Sequence, residues 1–560
     1  MAHTHDAERR RFLAGMAILG LSPLAARAEG LSWLSGHDGA QVAQAFTGDD
    51  FERAHEILLD PDALLSRGTI REVTEPYDVI VVGGGVSGLS LAWLLRDRRV
   101  LVLEREAQPG GVSRSATWQG VEYALGAAYL IDPAPDADDP GERRIFSLLE
   151  ELGLRERGED LSRDRTRGRR LSGEGTHCVF SNARVLPHGE VYSARNNAFF
   201  THVLDHDRFP AVPASDPTLV EALDRVSFSA FLKDAALQRK VYGRSVGPIG
   251  PRGWEAIEYY FWGAFGATPS ETSAYHGLNF FAAEYGSVLV YPGGNGFITR
   301  RMAERLAARS PNPVRTGAWV LRVEPEPDGG GATVVAYEGD ALVRYRAKRV
   351  VYASPLFLAP RLVPSLPADQ RDAIASLSYR AYLVANVMLS RTVDQVFSHP
   401  SFRGGYELTR VHGVDPAKIA AETLSTRKSF SDVVVADYPV WRAKDGAVLT
   451  VYRPYPFDTG RGELMGKSYG DLDAEIRSAV LEAFGRHGLK PRDIAGVALS
   501  RWGHPMLVPR PGQLADGTMA RAGRRHGPIL FAHTDVQGAP AFENAMAGVF
   551  GAVDVLGQEL

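Results

Sequence analysis

Three glycines and one acid are the residues of this chain whose spacing points most directly to chemistry. In Gly83-Gly84-Gly85-Val86-Ser87-Gly88 the glycines at 83, 85 and 88 follow a short β-branched run, Asp78 to Val82, and precede Leu89, Ala92 and Leu95 at helical spacing. The first glycine permits a tight turn, the second lets the backbone approach a pyrophosphate, and the third lets helix and strand pack closely. The helix start offers unpaired N–H groups and a partial positive charge to the phosphates. A second apolar run, Val100 to Leu103, ends in Glu104. That is roughly twenty positions after the middle glycine, where a carboxylate accepts hydrogen bonds from a ribose hydroxyl. The pattern predicts a site for an adenine dinucleotide.

The elements needed to position these residues are spread along the chain. Arg349-Val350-Val351-Tyr352-Ala353-Ser354-Pro355 reads as a buried strand ending at a turn, and Gly527 to Ala532 as another, followed by His533-Thr534-Asp535 and a helix from Ala541 to Leu556. Ligands bind outside the carboxyl ends of parallel strands, which puts Asp535 within reach of a cofactor. The fold class expected is therefore α/β: a Rossmann-like FAD/NAD(P)-binding domain of discontinuous segments, with an inserted α+β substrate domain. The segments expected are 76–180, 291–365 and 525–560 for the nucleotide domain, and 181–290 and 366–524 for the insertion.

At 560 residues the chain exceeds one core, and its single cysteine, Cys178, excludes an internal disulfide and any Cys-x-x-Cys motif. That cysteine also stands far from the C-terminal segment, so no cysteinyl link to a cofactor forms there. With 63 Lys and Arg against 67 Asp and Glu, the net charge of −4 supplies no field that would draw the protein to nucleic acid. No metal-ligand pattern stands out. Residues 1–28 read as a twin-arginine signal peptide: Arg9-Arg10-Arg11-Phe12-Leu13, an apolar run from Ala14 to Leu24 too short for a membrane anchor, and Ala26-Arg27-Ala28 as a cleavage site. The expectation is export by the Tat translocase to the periplasm, with no transmembrane helix. Residues 29–75 read as a helical extension.

Elsewhere the sequence predicts a hairpin from Trp319 to Glu324 and Ala332 to Tyr337, alternating strands at Tyr382 to Leu389 and Ala447 to Tyr452, and a helix from Asp471 to Phe484. The aromatic cluster Tyr259-Tyr260-Phe261-Trp262, with Phe265, Tyr275, Phe280, Phe281 and Tyr285, is expected mainly to fill a core. Trp502 and His504 are candidates to face a substrate, though each taken singly suits a structural role. Seven arginines between Arg155 and Arg170 are interleaved with acids, as in a solvated loop.

Taken in order, the glycine loop, Glu104, Pro109-Gly110-Gly111, Leu125-Gly126-Ala127-Ala128-Tyr129, Pro292-Gly293-Gly294-Asn295-Gly296, Ala353-Ser354-Pro355 and Asp535 before the last helix resemble the flavin-containing amine oxidase superfamily. The twin-arginine start and the segment Thr534 to Ala545 are similar to exported bacterial dehydrogenases of the spermidine dehydrogenase type. The resemblance implies FAD, with Gly83, Gly85, Val86, Ser87 and Gly88 on the pyrophosphate and Glu104 on the ribose. It implies backbone around Val320 near the adenine and Asp535 near the pyrophosphate and ribityl chain. Arg105, Gly110, Gly111, Arg114, Gly126, Ala127, Ala128, Tyr129, Ala541 and Phe542 complete the expected cofactor contacts.

In that family a hydride equivalent passes from a C–H next to nitrogen to the flavin N5. Many members place a lysine after the Ala-x-Pro strand, and Arg361 aligns near that position here. An aromatic pair usually flanks the amine, where this chain offers Ala541 and Phe542. The expected catalytic residues are therefore Trp502, His504, Arg361 and Phe542. The expected function is a periplasmic FAD-dependent oxidoreductase acting on a small amine or polyamine, with an unidentified electron acceptor. Two alternatives stand beside it: a non-redox flavoenzyme of the UDP-galactopyranose mutase kind, and an accessory protein that binds flavin without turnover.

Overall fold

The computed structural model describes residues 46–560, apart from 159–168, 172–176, 187–216, 246–248, 285–287, 411–429, 439–444 and the positions 49, 67, 182–183, 328, 405 and 437. All of these belong to one compact unit, Gln44–Leu560. The signal-like stretch lies outside the described residues. Among them, no helix is long and apolar enough to cross a membrane.

The unit is organised around two eight-stranded sheets. In the first, Tyr77–Val82 lies between Val100–Leu103 and the end of Ala341–Tyr352, with Val314–Arg315 outside the former and Ile529–Phe531 beyond the latter, all parallel. These strands are apolar on both faces because both faces are covered. One side packs on the helices Val86–Leu94, Gly296–Ala307 and Phe542–Glu559, where Leu89, Met302, Met546 and Val549 are fully buried. The other side meets the antiparallel ribbon of Ala318–Pro325, Ala332–Glu338 and the first half of Ala341–Tyr352. The expected hairpin and the expected final strand and helix are thus present.

The second sheet runs Phe46–Gly48, Ile494–Leu507, Tyr379–Leu389, Ala447–Tyr455, Asp432–Val435, Glu407–Arg410, His177–Phe180, Val185–Leu186. Its core is three long antiparallel strands in which Tyr382 lies opposite Trp502, and Tyr452 opposite both Val384 and Asp432. Side chains alternate across a strand, so this register puts Trp502, Tyr382, Asn386, Thr450, Tyr452, Asp432 and Glu407 on one face. The helix Tyr469–Phe484 supplies Glu475 to the buried Arg453 at 2.8 Å, on the alternate positions of the same strands.

Two segments sit differently from the sequence expectation. His177–Phe180, assigned to the nucleotide domain, pairs with Glu407–Arg410 in the second sheet. The extension 29–75 carries the helices Phe51–Leu58 and Pro61–Leu65 but also two strands, Phe46–Gly48 beside Leu499–Arg501 and Ile70–Glu72 beside Leu342–Arg344. Short strands with two or three residues carry no periodicity from which they could be read. The extension is held by Arg501, whose guanidinium stacks 3.3 Å from the Phe46 ring centroid and 4.2 Å from that of Phe51. The aromatic cluster is chiefly a core, as expected: Phe228, Phe261, Phe265, Phe280 and Phe281 pack together in the helices around Pro251–Phe265 and Ala274–Glu284. Tyr285 lies outside the described residues.

Candidate cofactor and substrate site

Each glycine of the loop is accounted for by what a side chain would meet. At Gly83, with φ +106°, a Cβ would lie 2.6 Å from Ser354 Oγ and 2.9 Å from the Ala353 carbonyl, so this turn is pressed against the neighbouring strand end. At Gly88 it would lie 1.9 Å from the Gly83 carbonyl, the close packing of helix on strand that the spacing implied. Gly85 is different. Its Cβ would meet nothing nearer than Gly111 Cα at 3.9 Å, leaving open space where a pyrophosphate requires close backbone approach. The helix Val86–Leu94 begins beside that space with no side-chain cap, and the helix Phe542–Glu559 likewise has none. These two helices pack together, with Ser90 Oγ 3.4 Å from Met546 Sδ. Uncapped N-termini leave N–H groups available to an anion.

Glu104 is buried at the tip of its strand, where its carboxylate accepts from the Gly84 N–H at 2.6 Å and the Glu106 N–H at 2.8 Å. Those bonds fix its orientation beside the glycine turn and leave lone pairs for a ribose diol. The Ala318 N–H donates to the Glu104 carbonyl at 2.9 Å, which brings the strand of Val320 alongside, with Arg105 stacked on Trp319 at 5.7 Å. Gly110 donates to the Gly84 carbonyl at 2.8 Å, and both Gly110 (φ +133°) and Gly111 (φ +59°) have left-handed backbone. Arg114 donates to the Gly111 and Gly48 carbonyls, tying the extension to this loop. The geometry of the turn, the acid and the uncapped helices fits FAD.

The loop from Leu125 to Tyr129 is clamped from two sides. The turn Pro292 to Gly296 holds it by Asn295, whose backbone N–H donates to the Ala127 carbonyl at 3.1 Å and whose Nδ2 donates to the Tyr129 carbonyl at 2.9 Å. Close contact demands glycine here, because a Cβ at Gly126 would fall 2.2 Å from the Val112 carbonyl. On the other side, three consecutive carbonyls accept from three strands of the second sheet. Asn386 Nδ2 reaches Ala124 at 3.1 Å, Trp502 Nε1 reaches Leu125 at 2.8 Å, and the Tyr452 hydroxyl reaches Gly126 at 2.8 Å. Thr450 in turn orients Asn386 with a 2.7 Å bond to its Oδ1. The polar face of the second sheet is thereby fixed to the loop that closes the cradle.

The sequence-based candidates divide. Trp502 joins the site, as the donor just described. His504, two residues on, stacks on Phe357 at 4.2 Å and meets Tyr379 edge-on at 6.3 Å. Burial, reinforced by Arg461, His55, Arg105 and Arg361, pushes its pKa down to about 3, so it is a neutral imidazole and a poor general base near neutrality. Arg361 is the exposed residue of the short helix Ala359–Leu362; it donates to the Leu58 carbonyl at 3.4 Å and stands near enough to His504 to add to the lowering of its pKa. Phe542 also departs from the expectation, its ring being part of the core under the first sheet, while Ala541 packs against the aromatic core beside the second. Asp535 is buried and committed to protein partners, accepting from Leu356 N–H at 2.9 Å and the Tyr379 hydroxyl at 2.7 Å, with His533 Nδ1 at 3.1 Å. Burial alone would raise its carboxyl, but those partners hold it below the usual carboxylate range. Thr534 braces the same turn, accepting from Ala541 N–H and donating to the Ala539 carbonyl.

Sequence reasoning missed Asn386, Tyr452 and Tyr382. Asn386 carried a signal, an amide in the middle of an apolar strand where such residues are disfavoured. Tyr382, whose hydroxyl donates to the Gly263 carbonyl at 3.3 Å, carried none beyond alternation.

Comparison with known proteins bears on the family and the fold. The family model described as flavin containing amine oxidoreductase matches residues 86–543. Oxidoreductase PigB of Serratia sp. is 22% identical over 87% of this chain and 76% of its own length. Human amine oxidase [flavin-containing] B is 41% identical over 80 residues, 14% of each chain. A redesigned putrescine oxidase superposes with a TM-score of 0.61 at 20% identity, over 88% of this chain and all of the other. Cyclohexylamine oxidase from Brevibacterium oxydans gives 0.58 at 16% identity, over 87% and 99%. These two likenesses bear on the fold. The glycine cradle, the oriented Glu104 and a family match spanning both sheets lead to one conclusion: this chain belongs to the flavin containing amine oxidoreductases and is an FAD-dependent oxidoreductase.

Proposed function

We propose that the chain oxidises a small amine in the periplasm, handing the electrons to an acceptor other than the substrate. The observation that carries the amine reading is the polar face of the second sheet fastened across Ala124, Leu125 and Gly126, within a chain of this family. Bound FAD supplies the acceptor for a hydride equivalent from a C–H next to nitrogen. The chain's own task is to hold that carbon still and exclude water, which Tyr382, Tyr452 and Trp502 do as a buried aromatic wall. No side chain needs to shuttle a proton during the transfer itself, in keeping with a neutral His504. The names of the structural neighbours, putrescine oxidase and cyclohexylamine oxidase, agree with an amine donor.

The other two readings gain no support. The arginine-rich stretch needed for a sugar nucleotide lies mostly outside the described residues, and Arg155 is engaged with Asp132 in a buried ion pair at 2.9 Å. Anaerobic addition of a primary amine or polyamine to the purified holoprotein is expected to bleach the flavin absorbance. Bleaching by dithionite alone, across all amines tried, would remove the amine reading. The location rests on Arg9-Arg10 and the apolar run that follows. Replacing both arginines with lysine is expected to retain the protein in the cytoplasm of a fractionated host; unchanged export would refute a twin-arginine route.

A further inference from the structure

The extension before the first parallel strand lies against the cofactor cradle at both of its ends. One end is set firmly. In the helix Phe51–Leu58, Ala54, Ile57 and Leu58 are buried in one core with Trp319, Val320 and Leu356. Arg53 lies over the Trp319 ring at 5.9 Å, as Arg105 does at 5.7 Å. Asp62, in the next helix, pairs with Arg322 on the strand Ala318–Pro325 that carries Trp319. This end therefore stands beside the strand that the family resemblance places near the adenine.

The other end reaches the two loops that close the cradle. Phe46–Gly48 adds a parallel edge strand beside Leu499–Arg501. Gly48 takes φ +89°, and a Cβ there would lie 3.0 Å from Ser500 Cβ and 3.2 Å from Trp502 Cζ2, so its backbone presses on Trp502 itself. The Gly48 carbonyl accepts from Arg114, whose Nε donates to the Gly111 carbonyl at 2.9 Å. Arg114 in turn lies over the Trp502 ring at 5.5 Å. Gly111 is the nearest neighbour of the open space at Gly85, and Trp502 holds the Leu125 carbonyl. One short strand thus bears on a residue of each loop.

The contact that holds this end is of a kind that opens cheaply. Arg501 is only 6% exposed, and its Nε has no hydrogen-bond partner. Its guanidinium lies over the rings of Phe46 and Phe51; burial pushes its pKa down to about 10, and Glu52 opposes that only through space. Burying a cation against rings rather than a carboxylate is costly, and the ring contacts return part of that cost. When the rings move away, Arg501 regains water and no acid is left stranded. Lifting this end therefore costs far less than unfolding the sheet beneath it.

We infer that Phe46–Gly48 and the helix Phe51–Leu58 form a strap across the cofactor cradle, anchored beside Trp319 and latched on Arg501, and that opening of the latch sets the rate at which FAD enters and leaves. The strap adds no contact to the reacting atoms. Its effect falls on retention of the cofactor, through the two loops it presses shut.

The strand register supplies a lock with which to test this. Thr47 stands opposite Ser500, their hydroxyl oxygens 2.8 Å apart, so Thr47→Cys combined with Ser500→Cys brings two sulfurs within bonding reach. The chain's own Cys178 is buried towards the far edge of the same sheet. Purified holoprotein carrying both substitutions is diluted to nanomolar concentration, oxidised or reduced, and the rise of free-FAD fluorescence gives the release rate. The oxidised form is expected to release FAD about tenfold or more slowly than the reduced form, and added reductant to restore the faster rate. Phe51→Ala, which removes one ring from Arg501, is expected to release FAD about tenfold faster than wild type. The oxidised and reduced forms are one folded protein, so their comparison decides the matter even where Phe51→Ala lowers the melting temperature. Equal release from those two forms would overturn the strap, while FAD binding by the cradle stood.

Discussion

Replacing Gly85 with valine is expected to yield a folded protein that no longer binds FAD. The two halves of that result come from one observation: a Cβ at 85 meets no protein atom closer than 3.9 Å, so the fold has room for it, but the space it enters is where backbone must approach a pyrophosphate. Affinity should fall by two orders of magnitude or more, about 3 kcal/mol, with the melting temperature of the apoprotein little changed. Gly88→Ala provides the contrast. Its Cβ would overlap the Gly83 carbonyl at 1.9 Å, in backbone that cannot move aside, and the protein itself should be destabilised by roughly 3 kcal/mol. If Gly85→Val kept its flavin, the pyrophosphate would lie elsewhere.

The second large effect is expected at Asp535. Its carboxylate accepts from Leu356 N–H, the Tyr379 hydroxyl and His533 in a fully buried position, joining the strand end at Leu356, the second sheet and the turn before the last helix. Asp535→Ala leaves a buried amide and a buried phenol without their acceptor, at a cost of roughly 3–5 kcal/mol. The pH dependence follows from its lowered pKa. A carboxyl held below its unfolded value contributes stability that is present above that value, near pH 4, and is lost as pH falls through the folded pKa. Wild-type unfolding midpoints should therefore drop steeply below about pH 4, and more shallowly in Asp535→Ala. Equal slopes would show that Asp535 is not held ionised by its neighbours.

What could be read from the sequence was local. Gly83 to Gly88 and Glu104 belong to one strand, turn, helix and strand, and such a unit declares itself by spacing alone. The same holds for the final strand and helix around Asp535, although its engagement with Tyr379 was not legible, since the partners stand 156 positions apart. The anchors of the cofactor loop come from Asn386, Tyr452 and Trp502, between 262 and 377 positions from the carbonyls they bond. Only the pairing of three strands brings them together, and register across long separations leaves no mark in a single sequence.

Arg361 and Phe542 owe their positions to short local elements. After Pro355 the chain runs through the short helices Leu356–Leu358 and Ala359–Leu362, which carry Arg361 to the Leu58 carbonyl, and elements so short leave no periodicity to read. Phe542 is the first residue of the last helix, one past the N-cap Ala541, and its ring lies in the core with Met546 and Val549. One residue of helical phase is about 100° of rotation, enough to exchange core for cavity.

The most direct measurement is the visible spectrum of the natively produced, purified protein, before and after acid precipitation. A bound flavin spectrum with equimolar FAD released into the supernatant is the predicted result, since the chain's one cysteine, Cys178, is buried in the second sheet and cannot hold the cofactor covalently at the last helix. A colourless protein that takes up no FAD at micromolar concentration would contradict the account at its root.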